Sequence, residues 1–168
     1  MTFDFYLGLP LLVLLTVVQA SILSRFPILG VVAPLVFLSA LAWGLLRGLE
    51  SGLIWAFIGG FLIDLFSTSP LGASFLAMGA AIGVVILLQS GLPVNRILVP
   101  LLLVIVATPL YLLLYAILLR ITGYLSGWQP LATVLPMLLV SVVTMLPIYW
   151  LLYALQRAIG PRRVDTAV

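Results

Sequence analysis

The chain is a succession of long apolar stretches separated by single arginines, prolines and short polar turns, and that pattern decides what it can fold into. The stretches cover about residues 5–23, 31–46, 52–67, 73–88, 97–119 and 130–155. Each approaches the roughly 20 residues a helix needs to cross a hydrocarbon layer. A membrane β-barrel would show shorter segments of alternating polarity. These runs are continuously apolar, so helices, which satisfy their own backbone in lipid, are the solution. With 65% hydrophobic and 7% charged residues, the chain lacks the polar cover of a soluble domain. The reading is an all-α integral membrane protein of about six transmembrane helices. Residues 1–156 form one bundle and residues 157–168 a short basic tail. The first residues carry neither a basic leader nor a small-residue cleavage site, so the first run reads as a permanent span.

Arginine placement sets an orientation. With six spans the termini share a side, and that side carries Arg47, Arg96, Arg157, Arg162 and Arg163. The other side carries Arg25 and Arg120, so both termini are expected in the cytoplasm. Aromatic residues stand at the expected boundaries: Phe3, Phe5 and Tyr6 at the start, Tyr124 and Trp128 outside, and Tyr149, Trp150 and Tyr153 near the last inner end. The arginines sit singly between apolar runs, which reads as topology control and implies no nucleic-acid partner.

Chemistry is scarce. There is no cysteine, hence no disulfide, thiolate metal site or Cys nucleophile. There is no histidine, which removes the commonest metal ligand and general base. No zinc-protease helix, no phosphate-cradling loop with Lys and no paired-aspartate metal motif is present. No base stands ready to activate a Ser or Thr. The expectation is a protein that is not an enzyme and that takes no metal or cofactor.

Two features remain. Small residues recur four apart at Gly44, Gly48, Gly52, Ala56 and Gly60, and again at Ala73, Ala77 and Ala81. Small side chains let helix backbones approach closely in lipid, either within the bundle or against a partner. Asp64 is the single carboxylate deep within an expected span. A charge there normally faces protein or water. A turn follows it at Ser67, Thr68, Ser69, Pro70, Leu71 and Gly72, whose backbone it could hold; proton or substrate binding is the sharper alternative. Gln19 wants an interhelical partner. Prolines at 10, 34, 100, 109, 136 and 147 interrupt the runs, either kinking helices around a cavity or simply being tolerated in lipid.

One region carries more than composition. It reads Leu46-Arg47-Gly48-Leu49-Glu50-Ser51-Gly52 and then Gly59-Gly60-Phe61-Leu62-Ile63-Asp64-Leu65-Phe66-Ser67-Thr68-Ser69-Pro70-Leu71-Gly72. This resembles the signature region of the bacterial rod-shape-determining membrane protein family MreD, with a glycine-rich third span leading to an aspartate, a serine and a Pro-Leu-Gly turn. Gln19-Ala20-Ser21 and the stretch from Gly30 to Pro34 also resemble that family. Leu35 departs from it, since a polar residue often follows the proline there.

The resemblance implies a non-enzymatic component of the elongation machinery in the inner membrane. Its partners would be the single-span scaffold MreC, the peptidoglycan transpeptidase and polymerase, and the actin-like MreB filament. It also implies an architecture similar to the substrate-binding subunits of energy-coupling-factor transporters. Two readings follow. In the first, the Gly44–Gly60 series packs against MreC, or equally against a second copy, and Gly60→Leu weakens that assembly. In the second, the chain is a small-molecule carrier subunit whose pocket draws on Gln19, Asp64, Ser67, Thr108 and Thr144.

Overall fold

Apolar runs in lipid wind into helices because every backbone N–H and C=O must find a partner inside the segment. The computed structural model describes residues 2–67, 70–89, 98–124 and 132–159. Thr68, Ser69, the stretch 90–97 with Arg96, Trp128 and the tail with Arg162 and Arg163 lie outside the described residues. Among the described residues are six α-helices: α1 (Thr2–Ser21), α2 (Leu35–Arg47), α3 (Leu49–Phe66), α4 (Ala73–Gln89), α5 (Leu98–Ile121) and α6 (Val134–Ile159). A 3-10 turn over Leu23–Arg25 follows α1.

Four of these helices are long and apolar enough to cross a membrane: α1 with the turn after it, α3, α5 and α6. The other two are shorter. α2 has 13 residues and α4 has 17, about 20 and 26 Å at 1.5 Å per residue. The apolar run from residue 31 yields helix only from Leu35. Pro34 causes this, because it disfavours helical backbone at the residue before it. Ahead of it Ile28 and Val31 exchange backbone hydrogen bonds of 2.9 and 3.0 Å around Leu29 and Gly30.

The prolines fall in two groups. Pro34 is the N-cap of α2 and interrupts nothing. Pro100 and Pro136 stand in the first turns of α5 and α6, where a missing N–H costs no intrahelical bond. Pro10, Pro109 and Pro147 lie inside α1, α5 and α6.

α2 is the axis of the bundle. All nine residues from Val36 to Gly44 are buried, as suits a helix that is apolar all round. The neighbours pack in the order α1, α3, α4, α5, α6 around it, and α2 touches all five. Phe37 stacks on Tyr111 of α5 with ring centroids 4.7 Å apart. Trp43 stacks on Trp55 of α3 at 4.6 Å. The ring does not close: among the described residues α1 and α6 make no contact with one another.

Gly48 alone joins α2 to α3, as C-cap of one and N-cap of the other. Its φ of 100° and ψ of 177° belong to a region open essentially to glycine. A Cβ there would meet nothing within 4 Å, so a substitution would be opposed by backbone strain alone. Gly48→Ala is expected to cost about 1–3 kcal/mol. Thermal unfolding in detergent measures it, with Gly83→Ala as the control, because Gly83 also faces open space but lies within α4. Equal melting temperatures for the two variants would remove the strain argument.

Candidate functional site

Three buried polar residues, Ser51, Asp64 and Ser74, lie in the first or last turn of a helix, where four N–H or C=O groups lack intrahelical partners. Asp64, in the last turn of α3, is 2% exposed. Its carboxylate accepts the Gly72 N–H at 2.7 Å and the Ser74 N–H at 3.2 Å to each oxygen. These are donors at the start of α4, and a carboxylate there also complements the positive end of the helix dipole. Gly72 reaches this position with φ of 104°. The Pro70 carbonyl accepts the Ala73 N–H at 3.2 Å. Ser67 is the C-cap of α3, its N–H directed to the Asp64 carbonyl at 3.4 Å. One aspartate thus ties the end of α3 to the start of α4.

The short α2 is held at both ends by amides from other helices. Gln19 of α1 accepts the Val36 N–H through Oε1 at 3.1 Å. At the far end Gln89 of α4 donates to the Leu45 carbonyl and Gln156 of α6 to the Leu46 carbonyl, both at 3.4 Å. Arg47 closes the same end, its guanidinium 5.1 Å from the Trp43 ring centroid. Gln89 and Gln156 were not singled out by sequence. The available signal was their position, lone amides near the ends of apolar runs.

The small-residue series folds back on itself at Gly48. Gly44 on α2 faces Gly52 on α3, and a Cβ added to Gly52 would come within 2.8 Å of the Gly44 Cα. Ile86 of α4 lies over both. A Cβ on Gly60 would come within 2.6 Å of the Phe75 backbone nitrogen at the start of α4. Ala56 is fully buried. Gly44, Gly52, Ala56 and Gly60 therefore lie inside the bundle, where α2, α3 and α4 meet.

Of the five polar residues considered for a pocket, the structure brings two together. Gln19 and Ser67 line a half-open cleft of about 190 Å³ at the end of the bundle where α1 and α3 finish. Thr16 and Ser24, missed in the sequence reading, join them. Asp64 turns its carboxylate to α4 instead. Thr108 is fully buried in α5 with no hydrogen-bond partner for its hydroxyl. Thr144 donates to the Val140 carbonyl at 2.7 Å. Among the described residues no three His, Cys, Asp or Glu side chains gather to hold a metal.

This arrangement defines a polytopic helical membrane protein in which Asp64, Gln19, Gln89 and Gln156 fasten helices to one another. The chain belongs to the MreD family, since the family model for rod shape-determining protein MreD matches residues 1–159. That family is a shape-determining membrane component, so a role in rod-shape determination follows. Searches of curated proteins and of solved structures returned no match.

Proposed function

We propose that this chain is the multi-pass inner-membrane component of the cell-elongation machinery, both termini cytoplasmic, that binds the scaffold protein MreC. Through MreC it bears on the peptidoglycan transpeptidase and polymerase and on the actin-like MreB filament. The observation that carries this reading is the family match over residues 1–159. The fold supports it by its use of polar groups: Asp64, Gln19, Gln89 and Gln156 are engaged with backbone N–H and C=O groups.

The single MreC helix would pack in the gap between α1 and α6. These two are the least buried of the four long spans, each 17% buried along its apolar window, and among the described residues they make no contact with one another. The inward-facing glycines build the bundle that presents this gap. A second copy of the chain is the competing occupant.

The test is capture through a C-terminal tag from gently solubilised native membranes. Wild type is expected to retain an MreC-like single-span protein with its synthases. Val17→Trp together with Val143→Trp alters exposed positions on α1 and α6, while Val84→Trp alters an exposed position on α4. The first pair is expected to lower capture about tenfold, equivalent to about 1.4 kcal/mol, and the α4 variant to leave it unchanged. Equal capture by all three would sink the gap assignment. One observation favours the carrier reading, the cleft at Gln19 and Ser67. Capture of transporter ATPase subunits in place of MreC would establish it.

A further inference from the structure

The cleft between α1 and α3 is lined by side chains of defined hydrogen-bonding sense. Gln19 uses Oε1 to accept the Val36 N–H, which fixes the orientation of its amide. Its Nε2 is left to donate, and Gln19 is among the residues that line the cleft. The Thr16 hydroxyl donates to the Leu12 carbonyl at 2.7 Å and the Ser24 hydroxyl to the Gln19 carbonyl at 3.0 Å. The walls between these groups are apolar, among them Ala20, Val32 and Phe66.

Among the described residues no charged side chain lines the cleft. A phosphate, an ammonium or a free carboxylate would enter it without a counter-charge, at a desolvation cost that nothing there offsets. The volume of about 190 Å³ equals roughly six water volumes, too small for a whole lipid but enough for a carbonyl with the first methylenes of a chain. The cleft lies where α1 and α3 end. In a membrane-spanning bundle that is the level at which apolar chains give way to polar headgroups.

We propose that this cleft is a lipid site which takes the ester carbonyl and adjoining acyl methylenes of a glycerophospholipid, the carbonyl accepting a hydrogen bond from the Gln19 amide. The headgroup stays outside the cleft and is not read. Because the same side chain caps α2, an occupied cleft and an ordered start of α2 share one residue. This inference does not depend on which protein partner the bundle binds.

Vesicles made of equal parts of a diacyl phosphatidylglycerol and its dialkyl ether counterpart provide the probe. The ether lipid has the same headgroup and chains but no carbonyl. The full chain is reconstituted, extracted in mild detergent, and its retained lipids are quantified by mass spectrometry. Wild type is expected to retain the ester lipid over the ether about fivefold, the worth of one neutral hydrogen bond.

Ala20→Phe and Val32→Phe each add a ring to the lining of the cleft and leave Gln19 and Val36 themselves unaltered. Either is expected to bring the ratio to one, in protein that elutes as a single species in size exclusion. Ala20 is exposed on α1, so the larger ring there does not disturb the core. Equal retention of the two lipids by wild type, or an unchanged preference in both phenylalanine variants, overturns the proposal.

Discussion

Gly60→Leu is expected to abolish the folded bundle, and Gly60→Ala to destabilise it by about 1–3 kcal/mol. The atoms in the way decide the size of the effect. At Gly60 the new Cβ would meet the backbone and Cβ of Phe75. Backbone cannot rotate aside as the tip of a side chain can, so α4 would have to move off α3. That movement would pull the Gly72 and Ser74 N–H groups from Asp64, which holds the same junction.

Gly79 and Gly83 on α4 are the controls. A Cβ at Gly79 would meet only the tip of Leu53 at 3.9 Å, and one at Gly83 nothing within 4 Å. Alanine at either position should leave stability nearly unchanged. Membrane abundance and the melting temperature of detergent-solubilised protein measure all four variants. A Gly60→Leu protein as abundant and as stable as wild type would mean that the α3–α4 contact is looser than the structure has it. It also follows that lost partner capture in Gly60→Leu is informative only at equal abundance, because the expected damage is to the bundle first.

The apolar runs made the helices legible, since a continuous stretch with no water to solvate it leaves the backbone little alternative. The boundaries of α2 were less so. Hydropathy does not distinguish Val31 to Ala33, which lie outside any helix, from Leu35 onward, which enters the core as helix. The small-residue spacing was visible as well, but its consequence depended on the turn. Period four continued across Gly48 implies one stripe on one face. Folding at Gly48 instead sets Gly44 against Gly52. The capping of α2 was illegible for a different reason. Gln156 and the Leu46 carbonyl are 110 residues apart, and nothing local to either announces the other. Asp64 was easier because its partners follow within ten residues, on a turn already marked by Pro70 and Gly72.

Asp64→Ala is expected to cost about 2–5 kcal/mol, and Asp64→Asn clearly less. The alanine leaves the Gly72 and Ser74 N–H groups without their acceptor, one of them fully buried, and each unsatisfied buried donor costs about 1–3 kcal/mol. Ser74 is fully buried, so no solvent replaces the lost oxygen at its N–H. Asparagine keeps one carbonyl oxygen, which in the place of Oδ2 can still accept both N–H groups, while its NH2 in the place of Oδ1 is set against the Ser74 N–H. It also gives up the charge at the start of α4, worth about 0.3–1 kcal/mol, up to about 2 where partly buried. The order wild type, Asn, Ala in melting temperature is therefore the signature of a cap. Hydrogen exchange at residues 72–76 should accelerate in the same order, ahead of any change in α5 or α6, because the start of α4 opens first. A site whose purpose is to bind a proton or substrate would behave differently. There the asparagine variant would lose the function as fully as the alanine one, with exchange at residues 72–76 unchanged in both. That outcome would turn Asp64 from the fastening of α3 to α4 into the reactive group of a carrier.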